Sequence, residues 1–393
     1  MEPLQLKQAF KNIFGAEPIL VKSPGRINII GEHTDYNGGL VMPAAINKAV
    51  YVAIAEREDN EIHLFSESYQ EKHIGNIKDV KKSEKSWANY ILGVVDGFLK
   101  RDFALTGFNL YIYGDVPLGA GLSSSAAIEC ATAYALAHIH QINIPKKDLA
   151  LIAQKAEHEF SGVNCGIMDQ FASVFGKEDY AMMLDCQTLE YEYIPLKLEG
   201  YKLLLFNTNV KHSLSDSAYN KRRSQCEQGV SWIKAYHPSV ACLRDATEEM
   251  LLAYVKPKDD KVYSKCSYVV AEIDRVKKAA SALKSGNLTK LGQLMFETHD
   301  GLSKAYEVSC KELDFLVDQV RALDEVLGAR MMGGGFGGCT INIVEEEKID
   351  QLISKISAAY LREFNLSPSA YVVETGNGSQ AIVTTVLTNI TTL

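Results

Sequence analysis

Several features are missing from this chain of 393 residues, and each absence excludes a class of function. No apolar run approaches the roughly 18 residues that a membrane-spanning helix requires. No block of lysine and arginine interrupts the sequence, and 41 basic against 49 acidic residues leave a formal charge of −8. Nucleic acid and anionic membranes are held by a cationic face, so neither is expected as a partner. The eight cysteines, at 130, 165, 186, 226, 242, 266, 310 and 339, form no Cys-x-x-Cys pair. Buried free thiols are the reading that remains. Residues 1 to 14 form a charged amphipathic pattern rather than a signal peptide, which predicts a cytoplasmic protein. Repeats and low-complexity tracts are also lacking. With 47% hydrophobic and 23% charged residues, the chain can bury a substantial core, divided over about two domains.

The stretch Gly114 to Ala127 organises the rest. An alternating apolar run, Phe108 to Tyr113, leads in as a strand, and an alanine-rich segment, Ala126 to His140, leads out as a helix. A glycine- and serine-rich loop between strand and helix start suits a phosphate, because converging N–H groups and the helix dipole both favour an anion. Ser123, Ser124 and Ser125 add hydroxyls that could cap the helix or ligate a cation. An ordinary strand-to-helix turn is the plain alternative. A dinucleotide fold would need a second parallel strand after the helix, but Pro145 and another helical pattern, Lys146 to Ser161, follow instead. No Gly-Lys-Ser/Thr completes a Walker loop.

Glu32-His33-Thr34-Asp35 places two carboxylates and an imidazole in a glycine-bounded turn. That spacing is poor for a metal and good for sugar hydroxyls; a solvated acidic turn is the alternative. Arg26, just upstream, is of the type suited to phosphate oxygens. Glu157 lies at the edge of the apolar face of its helix, where a carboxylate is either salt-bridged or metal-bound. Asp169 follows Gly166 in an apolar context and could cap the next short helix. Met331 to Cys339 holds five glycines around Phe336 and runs straight into a strand, which suggests close backbone approach to a ligand.

Strands are predicted over 49–55 and 61–65, as antiparallel partners across the turn at Asp59-Asn60, and over 203–207, 340–344 and 370–374. Residues 18–30 read as strand broken at Ser23-Pro24-Gly25. Helices are predicted over 87–100, 217–236, 263–284, 288–303, 311–327 and 347–364. The shift to long helices after residue 215 predicts a boundary near 200, with domains 1–200 and 201–393. Antiparallel strands with separate helices argue for an α+β protein.

Together these stretches resemble the galactokinase family of the GHMP small-molecule kinases, over essentially the whole chain. Ser23 to Tyr36 is similar to its signature, Pro117 to Ala127 to its nucleotide-phosphate loop, and Gly333 to Cys339 to its third motif. Residues 209–214, with Tyr219, Arg222 and Arg223, resemble a further stretch. Met332 departs from the Thr that many relatives carry. The resemblance implies an N-terminal ribosomal-protein-S5-domain-2-like α/β domain, a ferredoxin-like α+β C-terminal domain, and an active site between them. It implies ATP and Mg2+ as cofactors and galactose as substrate. Galactose 1-phosphate and ADP would be the products, in the first committed step of galactose breakdown.

By the same resemblance Asp169 is the catalytic base, Arg26 stabilises the transferring phosphoryl group, and Ser125 and Glu157 ligate magnesium. Glu32, His33, Thr34, Asp35, Gly166 and Tyr219 would contact the sugar. Gly119, Ala120, Gly121, Leu122, Ser123, Ser124 and Ser125 would hold the ATP phosphates, with Trp87 against the base. A monomer is expected. Two alternatives stay open here: a sibling kinase for N-acetylgalactosamine or another aldose, and a non-catalytic galactose and ATP sensor. The undamaged phosphate loop and Asp169 favour an enzyme over a sensor.

Overall fold

The structure, a computed structural model, describes residues 1–117, 119–210 and 215–383. Leu118 of the phosphate loop and residues 211–214 of the 209–214 stretch lie outside the described residues. Thirteen strands are described: β1 Ile19–Asn28, β2 Leu40–Val41, β3 Pro43–Glu56, β4 Glu61–Ser66, β5 Glu71–Asn76, β6 Phe108–Gly114, β7 Tyr180–Asp185, β8 Tyr191–Pro195, β9 Tyr201–Asn207, β10 Val326–Met331, β11 Cys339–Glu345, β12 Ser369–Val373 and β13 Gln380–Ala381. They build a six-stranded sheet in the order β13-β1-β3-β6-β4-β5, a four-stranded sheet β10-β11-β9-β12, and a small sheet β2-β7-β8. With eleven α-helices among the described residues, the architecture is α+β as expected.

Three local expectations are corrected. β3 and β4 do not pair across Asp59-Asn60; β6 lies between them, antiparallel to β3 and parallel to β4. The parallel pair requires a crossover, and the helix Ser86–Leu99 supplies it with ten buried residues between β5 and β6. β1 is not broken at Pro24; the strand runs through with a register shift between Pro24 and Arg26, where a bulge absorbs the proline. The helix predicted over 311–327 stops at Arg321, and residues 326–331 form β10. Leu323 and Leu327 fit helical spacing, but the open edge of β11 offers backbone partners from Val344 to Thr340.

The halves are joined by their cores. One continuous core runs from Ile27 and Leu122 through Val276 and Tyr306 to Met331. A second, of Leu204, Phe206, Ile356 and Tyr360, fastens the helix Ile349–Phe364 to the four-stranded sheet. Arg330 on β10 is 0% exposed and crosses the junction, donating to the carbonyls of Asn28 and Ile29 at the end of β1 and, at 3.1 Å, to Glu32. A buried guanidinium persists only when its donors are satisfied. Arg330 therefore fixes how the second half meets the acidic turn.

Candidate active site

The end of β1, the acidic turn, the glycine loop before the helix Ser124–Ile139 and the loop after β10 enclose a cavity of about 400 Å3. Arg26 lies on its floor, 4% exposed. Its backbone N–H donates to the Leu122 carbonyl at 3.1 Å and its Nη1 to the Gly121 carbonyl at 2.6 Å, which ties β1 to the phosphate loop. Gly119 and Gly121, with φ of 72° and 71°, occupy left-handed conformations that a side chain would strain. Nε and Nη2 of Arg26 donate to Oδ1 and Oδ2 of Asp169, both at 2.9 Å. Such a fork fixes direction as well as distance.

Asp169 stands in the first turn of the helix Met168–Phe175. Its carboxylate is engaged by Arg26 and by the Ser123 hydroxyl, so it is not a helix cap. Ser123 precedes its helix with φ 57° and caps nothing with its side chain; that hydroxyl serves Asp169. Ala120 and Leu122 are 0% and 1% exposed, so their side chains anchor the loop in the core; Leu122 lines the cavity and Ala120 does not.

In the acidic turn, Glu32 accepts from the Gly333 N–H at 2.8 Å as well as from Arg330. Asp35 packs against Gly166 so closely that an added Cβ would overlap its carboxylate. Burial, and then the charge of Asp169, push Asp35 up to about 7. His33, with φ 65°, lies against the rings of Tyr219 and Tyr306, centroids 5.3 and 4.9 Å away. Burial, aided by the Arg222 charge, pushes it down to about 3. Glu32, His33, Asp35 and Tyr219 all line the cavity. Thr34 does not: it is fully buried and its hydroxyl donates to the carbonyls of Gly31 and Leu40. It shapes the turn instead of facing a sugar. Arg222 and Arg223 are likewise tethers, donating to the carbonyls of Tyr306 and Glu307 and of Asn164. Met332 is 1% exposed, so the departure from Thr repacks the core behind the loop.

Ser125 and Glu157 also meet at the cavity wall. Glu157 opens a π-helical turn, Glu157–Ser161, that continues the helix Lys146–Ala156, a distortion common at functional sites. It accepts from Gln170 at 2.8 Å and from the Cys165 thiol at 3.4 Å. Among the described residues it has no ion-pair partner, so the salt-bridge alternative falls. Burial, then the nearby Asp169 charge, push it up to about 7. The described residues contain no group of three His, Cys, Asp or Glu able to hold a metal. One carboxylate and one hydroxyl nevertheless fit magnesium, which takes one or two protein oxygens and completes its shell with phosphates and water. A buried carboxylate without a cation partner is the observation that favours it. Beside the main cavity lies a second of about 240 Å3, lined by Trp87, Tyr69 and Val116 and sharing Tyr90, Gly119 and Ser124 with the first. Trp87 does not reach the main cavity; its indole N–H donates to Glu71 at 3.0 Å.

The sequence reading missed Arg330, Tyr306 and Cys165. Of these only Arg330 carried a signal, as a lone charge in an apolar run just ahead of a glycine cluster.

Three family models match the chain: the galactokinase galactose-binding signature at residues 8–56, the GHMP kinases N terminal domain at 89–177 and the GHMP kinases C terminal domain at 279–362. A galactokinase of Thermotoga maritima is 43% identical over 92% of this chain and 99% of its own length. One from Halalkalibacterium halodurans is 42% identical over 91% of each. The crystal structure of Lactococcus lactis galactokinase complexed with galactose superposes with a TM-score of 0.92 at 35% identity, covering 96% of this chain and 99% of that one. Methanococcus jannaschii mevalonate kinase, at 21% identity and a TM-score of 0.64, shares the fold.

Proposed function

The chain belongs to the galactokinase family of the GHMP kinases, and from that premise we propose that its cavity transfers a phosphoryl group from ATP to the anomeric hydroxyl of D-galactose. The products are galactose 1-phosphate and ADP. The observation that carries this reading is the Asp169 carboxylate, held by a bidentate Arg26 in a cavity that the phosphate loop and the acidic turn both line.

In this reading the acidic turn takes the sugar. Glu32, Asp35, Gly166 and Tyr219 surround it, with Asp35 accepting from ring hydroxyls. The loop Gly119 to Ser125 and the N-terminus of the helix Ser124–Ile139 take the ATP phosphates, and the side cavity at Trp87 takes the base. Ser125 and Glu157 would hold magnesium, whose charge would offset that of the phosphates. Phosphoryl transfer depends mainly on positioning and on charge stabilisation. Asp169 therefore needs only to orient the anomeric hydroxyl and accept its proton. Arg26 supports both partners: it fixes the carboxylate and presents positive charge where the phosphoryl group moves. We assign residues 1–200 and 201–393 as the two domains, with the last strand returning to the first. A cytoplasmic location and a monomeric state complete the proposal; sedimentation of the purified chain tests the latter.

Asp169→Asn keeps the shape and removes the proton acceptor. Turnover should fall by about 10²–10⁴-fold while galactose still binds by calorimetry. An Asn variant with near-normal turnover would refute the base assignment. Glu157→Gln should raise the magnesium concentration for half-maximal rate severalfold; a magnesium titration matching wild type would show the carboxylate to be structural.

A further inference from the structure

Both ring nitrogens of His33 are engaged within the protein. Nε2 lies 3.2 Å from the Gly334 carbonyl, and Nδ1 lies 2.7 Å from the Tyr36 hydroxyl. A carbonyl only accepts, so Nε2 carries a proton. Burial keeps the ring neutral, so Nδ1 is bare and the Tyr36 hydroxyl donates to it. The direction of every further bond follows. The Tyr36 oxygen must accept from the Tyr306 hydroxyl, 2.7 Å away, and Tyr306 in turn accepts from the Cys226 thiol at 3.3 Å. Tyr306 is fully buried, as is Cys226, so water does not scramble the order. The chain runs one way, from a thiol in the helix Ser215–Lys234 through two tyrosines to the imidazole, and ends on the glycine loop after β10. The Asn37 side chain, donating to the His33 carbonyl at 2.8 Å, holds the same residue from its backbone side.

We propose that the His33 imidazole is a positioning group and not a sugar ligand: set as the Nε2–H tautomer by the Tyr36–Tyr306–Cys226 chain, it clamps the Gly333–Phe336 loop over the sugar side of the cavity. The inference rests on the galactokinase reading for what the cavity holds, but the tautomer and the clamp stand on this geometry alone. The imidazole has no nitrogen left for a hydroxyl, whereas Glu32 and Asp35 keep carboxylate oxygens that can accept one. Loop and acidic turn come from opposite halves of the chain, and His33 joins Glu32 in bonding across them, one to the Gly334 carbonyl and one to the Gly333 N–H.

The test is long-range 15N NMR of the full chain at pH 7.5, with the His33 signals assigned by their loss in His33→Gln, alongside kinetics. The expected spectrum is a neutral ring protonated at Nε2. A ring protonated at Nδ1, or a charged one, overturns the proposal whether or not galactose proves to be the substrate. In kinetics, Tyr36→Phe removes the donor to Nδ1 and should raise the galactose KM about tenfold, with kcat and the ATP KM within about twofold. His33→Gln keeps an N–H near the Nε2 position and should retain most galactose affinity, where His33→Ala loses it. Unchanged galactose KM in Tyr36→Phe, or His33→Gln as impaired as His33→Ala, overturns the clamp. Should wild type fail to phosphorylate galactose, the functional reading fails while the tautomer remains measurable.

Discussion

Asp35 and Asp169 share one cavity, but only Asp169 has a guanidinium paired to it. Ionising Asp35 therefore costs free energy in the folded chain. Its folded value of about 7 lies above its ordinary 3.8, so the group favours folding most below about pH 4 and loses that contribution as pH rises through 7. Asp35→Asn, which cannot ionise, should melt roughly 2–5 °C above wild type at pH 8. The two should converge as the pH falls toward 4, as read by calorimetry without ligand. The same substitution should weaken galactose binding, which separates a residue kept for function from one kept for stability. Equal melting temperatures at pH 8 would show that the Asp35 carboxyl is not held in an unfavourable site.

One element behind the cavity is seated through a contact that tolerates no side chain. The helix Leu288–Asp300, capped by Asn287 accepting from the Lys290 N–H at 2.9 Å, crosses β10 at Gly292. A Cβ there would overlap the Leu327 carbonyl. Glycine within a helix costs about 1 kcal/mol relative to alanine, yet here it lets helix and strand meet backbone to backbone. Gly292→Ala, favourable by propensity, should instead destabilise by about 2–4 kcal/mol in urea unfolding. Because β10 carries Arg330 and leads into the glycine loop, galactose KM should rise with it. A stabilised variant would mean that the helix can shift without cost.

At the scale of the whole molecule, the chain closes on itself. After β12 it returns to the first half, where β13 pairs with Val21 and Lys22 of β1. Ser379, 2% exposed, bonds to the Ser23 hydroxyl at 2.7 Å and donates to the Ser173 carbonyl at 2.9 Å. This segment braces β1 just ahead of Arg26 and the helix that carries Asp169. Deleting residues 375–393 should lower the melting temperature by several degrees and reduce turnover more than an equal loss of stability elsewhere; unchanged melting would show the brace to be dispensable. Sequence alone determined the α+β class, the strand–loop–helix around Gly119 to Ser125, and Arg26, Asp35 and Asp169 as candidates. Those features sit in short contiguous stretches, where periodicity, glycine content and side-chain chemistry act over a few residues. It did not determine that β6 separates β3 from β4, that Thr34 turns inward, or that Arg330 pairs with Glu32 and Tyr306 with Tyr36. Those partners lie 298 and 270 positions apart, and which buried polar group finds which is settled only when packing removes water and leaves each of them few partners within reach.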